Sequence, residues 1–331
     1  MKALIACSSS GGHINPALSF GNYLKSNGIE VDYLGFKNQL EEKIIDNKNL
    51  ILIDGENSFK KNIKSFKLIN LIKEVKKETR GKNYDFYIGF GGFINFLLLF
   101  LKKKKPLFIH EQNKVLGDTN KIVRLFSKKV FYTFNHNDKK GVLVGNPSCE
   151  KIRTKEFNYK RKLNVLFVFG SLGSKSLMKK LMSFDGKLNK NHKYTLVLGS
   201  SSKNQINYEF NQIKVTSYLN LNKSIEDYDI IVSRGGATTL FEILKSRTFA
   251  ICIPSPYVKH NHQEKNVDHL YEQNLISKIV EKDLTIEKLN SEISSFVDYD
   301  FALSRYKDLS NYKIGNPNEL IYQEIMKNVK N

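Results

Sequence analysis

Short apolar runs alternate with longer amphipathic segments along most of the chain, and that alternation constrains the fold more than any single motif. The runs are 3–7, 31–34, 50–53, 86–90, 107–110, 130–132 and 142–144, then 164–169, 194–198, 214–216, 230–232 and 250–253. Within most of them apolar residues are consecutive, which suits a strand buried on both faces. Helical segments between such strands argue for parallel pairing, because a parallel connection must cross back over the sheet. The expected class is α/β, with two doubly wound, Rossmann-like parallel-sheet domains, and 331 residues are enough for two domains of ordinary size. Gly145-Asn146-Pro147, with the charged linker stretch Lys151 to Lys162 behind it, sets the boundary. Residues 1–147 then form the first domain and 148–315 the second, and a last helix at about 316–331 is placed to pack back on the first. Ligands of such sheets bind beyond the carboxyl ends of the strands, so the expected site is a cleft that the two domains face.

Polar and glycine-rich turns follow several of these strands. Ala3-Leu4-Ile5-Ala6 runs into Ser8-Ser9-Ser10-Gly11-Gly12-His13, and the spacing predicts a helix from Pro16 to Ser26, closed by Gly28 and with Pro16 in its first turn. The glycines leave backbone N–H groups unshielded at the positive end of a helix, where a phosphate binds well. His13 adds a side chain that can donate to a phosphate or accept a proton. The spacing is not G-x-G-x-x-G and no Lys-Ser/Thr pair follows, which disfavours a dinucleotide-binding dehydrogenase and a Walker NTPase. Phe169-Gly170-Ser171-Leu172-Gly173-Ser174 is a second turn able to cradle phosphate, with a serine hydroxyl where a diphosphate oxygen would lie. Ser233-Arg234-Gly235-Gly236-Ala237-Thr238-Thr239-Leu240-Phe241-Glu242 is another, with Glu242 about one helical turn inward, where a carboxylate can grip a vicinal diol such as a ribose. Asn261 to Asn266, including His262 and Gln263, can bond sugar hydroxyls. His110-Glu111-Gln112-Asn113, then Gly117-Asp118-Thr119-Asn120, crowds polar groups at a strand end, and Gly91-Gly92-Phe93 is a further glycine turn.

Charge points to an anionic partner. Lys and Arg number 53 against 33 Asp and Glu, a net charge of +20. Lys60 to Lys82 carries nine basic residues against Glu74 and Glu78, with Ile63, Phe66, Ile69, Ile72 and Val75 at helical spacing, the pattern of a basic amphipathic helix. Ile94 to Leu101 is apolar and runs straight into Lys102-Lys103-Lys104-Lys105. Eight residues cannot span a bilayer, which needs about 20, but an apolar face ending in lysines can lie on an anionic membrane surface. No stacking platform or finger motif favours nucleic acid as the partner. Cys7, Cys149 and Cys252 are odd in number and lack metal-ligand spacing, which fits reduced thiols in a cytosolic protein. The apolar stretch after Met1-Lys2 is too short for a signal peptide.

In this order the motifs resemble the MurG family of glycosyltransferases, above all through the Gly-Gly-His turn with Asn15-Pro16-Ala17-Leu18, the His110 to Asn113 element, Gly145-Asn146-Pro147 and the pair Gln263 and Asn266. The resemblance spans Ala3 to about Lys278. It implies a two-domain GT-B fold, a transferase that moves N-acetylglucosamine from UDP-GlcNAc to the lipid-linked muramyl-pentapeptide precursor of peptidoglycan, and peripheral attachment to the cytoplasmic face of the cell membrane. It further implies inverting chemistry with no metal and no cofactor. By matching position, Ser171 would hold the nucleotide diphosphate, and Gly236, Ala237, Thr238, Thr239 and Glu242 would form the uridine and ribose site. His262 and Gln263 would contact the sugar, and Asn120 would reach the donor from the other domain. Ser10, Gly11, Gly12 and His13, with Gly91 and Gly92, would receive the acceptor's diphosphate.

The chain departs from the family pattern at Ser8 to Ser10, where two glycines and a threonine are usual. It departs again at Cys149, where an arginine is usual, and at Asn95-Phe96-Leu97, where Ser-Gly-Pro is usual. Inverting transfer needs a base for the acceptor hydroxyl, and His13 and Glu111 are both candidates by residue type. A GT-B enzyme acting on another membrane lipid, a UDP-GlcNAc epimerase and a non-catalytic nucleotide-sugar binding protein are the competing readings; the last two would not need a basic membrane-facing surface.

Overall fold

The twelve apolar runs all become strands in the computed structural model, which describes residues 1–8, 10–56, 66–170, 173–199 and 208–329. The chain folds as two units, residues 1–150 with 314–331, and residues 151–313.

In the first unit the strands are β1 (Lys2–Ala6), β2 (Glu30–Phe36), β3 (Leu50–Ile53), β4 (Phe86–Gly89), β5 (Leu107–Glu111), β6 (Lys129–Tyr132) and β7 (Gly141–Leu143). They form one parallel sheet in the order β3-β2-β1-β4-β5-β6-β7. The helices are α1 (Gly11–Ser26), α2 (Leu40–Ile44), α3 (Phe66–Glu78), α4 (Ile94–Leu97) and α5 (Asp118–Phe126). β1 shows why the run is apolar throughout: Ala3 and Ile5 enter one core, Leu4 and Ala6 the other, all fully buried.

The second unit repeats the plan with β8 (Asn164–Val168), β9 (Lys193–Val197), β10 (Ile213–Thr216), β11 (Ile230–Ser233), β12 (Phe249–Cys252) and β13 (Ser277–Lys278). Its parallel sheet runs β10-β9-β8-β11-β12-β13. Here the helices are α6 (Lys175–Phe184), α7 (Leu221–Ser224), α8 (Ala237–Ser246), α9 (His262–Tyr271), α10 (Ile286–Ser295) and α11 (Tyr299–Asn311). The charged stretch expected as a linker is laid along this unit, with the Lys155 N–H donating to the Ser246 carbonyl. A last helix, α12 (Pro317–Val329), returns to the first unit and sends Ile321 and Ile325 into the core beside α1. Asn318 fixes it there by donating to Ser19 Oγ at 3.0 Å and to Glu150 Oε2 at 2.6 Å.

Two local expectations are corrected. α1 begins at Gly11, not at Pro16, because extended Ser10 accepts from both the His13 and Ile14 N–H groups at 3.0 Å and so winds the first turn early. Pro16 therefore sits inside the helix, where it forgoes one backbone hydrogen bond. The apolar segment Ile94 to Leu101 is spent largely on the core: Ile94, Leu97 and Leu98 are fully buried, and Phe100 alone among its large side chains is exposed. A run this short has no periodicity that separates a core helix from a surface one. In the basic amphipathic segment, residues 57–65 lie outside the described residues; α3 buries Leu71 and Val75 and exposes Ile69. Among the described residues no helix is long and apolar enough to cross a membrane.

Candidate functional site

Both sheets reverse their winding at one place, between β1 and β4 in the first unit and between β8 and β11 in the second. Such a switch point opens a crevice beyond the strand ends, because the helices leave in opposite directions. Turns singled out in the sequence follow these four strands.

In the first unit the turn after β1 meets the turn after β4 through His13. Gly91 and Gly92 adopt φ +120° and +88°, and a Cβ on Gly91 would lie 2.5 Å from His13 Cδ2 and 2.6 Å from Nε2. Only glycine lets the imidazole pack so close. His13 Nδ1 lies 2.9 Å from the Ser8 carbonyl. A carbonyl can only accept, so Nδ1 carries the proton in the neutral ring and Nε2 presents its lone pair. Ser10, Gly11 and Gly12 open α1 beside it, Ser10 exposed and the glycines half-exposed.

The other base candidate is engaged on both oxygens. Glu111 is buried; its Oε1 accepts from the Asn113 N–H at 3.1 Å, and its Oε2 from the Gly117 N–H at 3.0 Å and Asn120 Nδ2 at 2.9 Å. Asn120, also buried, accepts at Oδ1 from Asn95 Nδ2 at 3.0 Å. Because a carboxylate only accepts, it fixes the direction of the chain of bonds from Asn95 through Asn120 to Glu111. Neighbouring His110 stacks on Phe90, with ring centroids 5.3 Å apart, and donates from Nε2 to the Gly145 carbonyl at 2.9 Å. Burial pushes its pKa down to about 4, the Gly145 bond opposing and the nearby His13 adding to the shift, so it is neutral at pH 7.

In the second unit the turn after β8 has Gly170 at φ +86° and Gly173 at φ +78°, closed by a Gly173 N–H bond to the Gly170 carbonyl. Ser174 caps α6 through the Leu177 N–H. Ser171 lies outside the described residues. After β11, Gly235 (φ +80°) would bring a Cβ within 2.4 Å of Val267 Cγ2 and 3.2 Å of the Gln263 carbonyl, so a glycine there is what lets α9 come close. Buried Asn266 ties the two together by donating to the Gly235 carbonyl at 3.3 Å. Gly236, Thr238, Thr239, His262 and Gln263 are half-exposed around this turn, Ala237 is buried, and the Gln263 amide oxygen accepts from the Ser255 N–H at 3.0 Å. The structure thus brings the Gly235 turn against Gln263, Asn266 and Val267, and His13 against Gly91.

Glu242 is the exceptional group. It is 8% exposed, and its carboxylate has no hydrogen-bond partner among the described residues. Burial pushes its pKa from the ordinary 4.5 up to about 8. A largely buried acceptor with no partner in the protein is poised for donors from a ligand.

Arg234, in the turn after β11, has no role that its place in the sequence announces. Its buried guanidinium donates to Glu281 Oε2 at 2.5 Å, the Ile253 carbonyl at 3.3 Å, Ser174 Oγ at 2.5 Å and Ser176 Oγ at 2.8 Å. Burial alone would raise the Glu281 carboxyl, but bonds from Arg234 and Ser176 outweigh it and hold the pKa below its ordinary value.

Residues 4–132 match the model of the glycosyltransferase family 28 N-terminal domain, and residues 164–308 match that of the family 28 C-terminal domain. A UDP-N-acetylglucosamine–N-acetylmuramyl-(pentapeptide) pyrophosphoryl-undecaprenol N-acetylglucosamine transferase from Sulfurihydrogenibium sp. is 34% identical, over 100% of this chain and 99% of that protein. The protein of the same name from Vesicomyosocius okutanii is 33% identical over 87% of each chain. The crystal structure of Acinetobacter baumannii MurG superposes with a TM-score of 0.80 at 22% identity, covering 98% of this chain and 99% of that one. The calicheamicin glycosyltransferase CalG4 shares the fold at a TM-score of 0.71 and 9% identity, over 100% and 99% of the two chains. With both units, their glycine turns and their order in the sequence accounted for, the chain belongs to the MurG family of N-acetylglucosamine transferases, of GT-B fold.

Proposed function

We propose that this protein transfers N-acetylglucosamine from UDP-N-acetylglucosamine to a muramyl-pentapeptide carried on pyrophosphoryl-undecaprenol, the reaction for which its relatives are named. One observation carries the reading into the site: the unpaired Glu242 carboxylate, four to six residues beyond Gly236, Ala237 and Thr238 on the helix that follows the turn after β11. A ribose diol supplies the two donors it lacks. The half-exposed Gly236, Thr238 and Thr239 border the same nucleoside, His262 and Gln263 take the sugar, and Ser171 is assigned to the diphosphate by family position alone.

His13 is the base. Its Nδ1–H is anchored on the Ser8 carbonyl, so Nε2 is the nitrogen left to accept the acceptor hydroxyl's proton. As that proton leaves, the hydroxyl oxygen bonds to C1 of the sugar, the bond from C1 to the diphosphate oxygen breaks, and UDP departs with the electron pair. Attack opposite the leaving group inverts C1. The N–H groups of Gly11 and Gly12 at the start of α1 meet the acceptor's diphosphate. With both oxygens occupied, Glu111 anchors Asn120 and the 113–117 loop and does not move the proton.

The acceptor is membrane-borne, and at the amino ends of β4 to β7, away from the crevice at the carboxyl ends, the first unit carries a surface suited to an anionic bilayer. An open groove is bordered by Lys102, Lys104, Lys105, Lys128 and Lys140, with Leu125 and Phe126 exposed at its side. Lysines beside exposed apolar side chains favour anionic headgroups. The protein would act as a peripheral enzyme on the cytoplasmic face.

UDP release is the test, measured with the lipid-linked acceptor in anionic vesicles and without it. Release that depends on the acceptor is expected. Equal release in both conditions, or none in either, would overturn the reading.

A further inference from the structure

Arg234 belongs to the turn after β11, yet most of its donors reach elsewhere. Nη2 reaches Ser174 Oγ at 2.5 Å and Ser176 Oγ at 2.8 Å, both at the start of α6, on the far side of the switch point. Nη1 holds the Ile253 carbonyl just past β12 and the Glu281 carboxylate beyond β13. One buried guanidinium therefore fastens the ends of three neighbouring strands, β8, β11 and β12, and a further turn behind them. Ser174 Oγ also accepts from the Leu177 N–H as the cap of α6 and lies 3.3 Å from Ser176 Oγ. The lip of the crevice that holds Gly170, Gly173 and Ser174 has Arg234 as its link to the lip that holds Gly235 and Gly236.

We infer that Arg234 is a positioning residue for the donor's diphosphate: by holding Ser174 and Ser176 it sets the Gly170 and Ser174 backbone N–H groups against the phosphates, while taking no part in nucleoside binding. The inference rests on the donor-site reading above. Glu281 neutralises the guanidinium, so its role is geometric and electrostatically silent at long range, and the fork geometry is what a lysine cannot copy. A residue that merely stabilised the unit would weaken every ligand of that unit together. A residue that aims one turn weakens only the ligands that reach it.

Calorimetry with uridine and with UDP separates these cases in the full chain. Arg234→Lys keeps the charge and loses the fork. Because a lone buried partner is destabilising, Arg234→Met combined with Glu281→Leu serves as the second variant, with neither charge left behind. In both, the Kd for UDP is expected to rise about tenfold or more, the effect of losing hydrogen bonds to a charged group, with the Kd for uridine within about twofold of the parent. Equal weakening of uridine and UDP would reduce Arg234 to a structural residue and overturn the inference. Unchanged UDP binding in folded variants would overturn it as well. Failure of the parental protein to bind either compound would overturn the donor-site reading itself, and this inference with it.

Discussion

Glu242→Gln should stabilise the second unit and weaken its ligand, and the pH dependence of the gain identifies the carboxyl responsible. The Glu242 pKa is raised from 4.5 to about 8 by burial without a partner. Between these values the folded protein holds a proton that the unfolded chain has lost, so stability falls as pH rises from 4.5 towards 8 and levels off above it. At about 1.36 kcal/mol per pH unit, the penalty amounts to about 3 kcal/mol at pH 7 and about 1 kcal/mol at pH 5. Glutamine cannot ionise and escapes this term, whatever fixed cost its buried amide brings. The stability difference between variant and parent should therefore widen by about 2 kcal/mol from pH 5 to pH 7. Native-state hydrogen exchange of the β11 and β12 amides reads this in the second unit alone. A difference that stays constant over that range would refute the idea that Glu242 is held largely buried and unpaired.

The ligand side of the same prediction runs the other way. Ribose hydroxyls donate to the ionised carboxylate, so binding draws the pKa down and releases a proton. Parental affinity for UDP should rise with pH between about 6 and 8. In Glu242→Gln it should be flat with pH and about 10- to 100-fold weaker at pH 8, the range for losing hydrogen bonds to a charged group.

Three further outcomes are expected. His13→Ala should cut turnover about 100-fold or more, with UDP binding close to parental, by steady-state kinetics and calorimetry on the same preparation. Gly91→Ala should lower turnover and melting temperature together, because a Cβ 2.5 Å from the His13 ring and a φ of +120° force the turn to move at a cost of about 1–3 kcal/mol; kinetics and thermal melts show whether both fall. Replacing Lys102 to Lys105 with glutamine should sharply reduce flotation with anionic vesicles and leave neutral vesicles unaffected.

The sheets were legible because most of the strands are buried on both faces and leave apolar runs too regular to miss. β13 was not, since Ser277–Lys278 is two residues long and joins the sheet by its place after α9, with no pattern of its own. The glycine turns could be read as turns, and their positions at the two switch points follow once the strand order is known. What each turn touches could not be read. That Gly91 makes room for His13, and Gly235 for Val267, depends on contacts 78 and 32 residues apart in sequence. Arg234 stood in a motif whose glycines drew the chemistry, and its partner Glu281 lies 47 residues on with no spacing to announce it. A basic residue ending an apolar run is the one local signal that could have marked it, since burial of such a charge requires a partner. The Ile94 to Leu101 segment misled for the opposite reason: apolar residues beside lysines look alike whether they meet lipid or core.

The stereochemistry of transfer tests the central assignment most directly. In UDP-N-acetylglucosamine the sugar is α-linked, and a hydroxyl deprotonated by His13 attacks from the opposite face. Anomeric proton couplings in the product, recorded by NMR after incubation with the lipid-linked acceptor, should show one new N-acetylglucosamine in β linkage and an equimolar amount of UDP. An α-linked product, or donor consumed with no sugar on the lipid, would contradict an inverting transferase built on these two units.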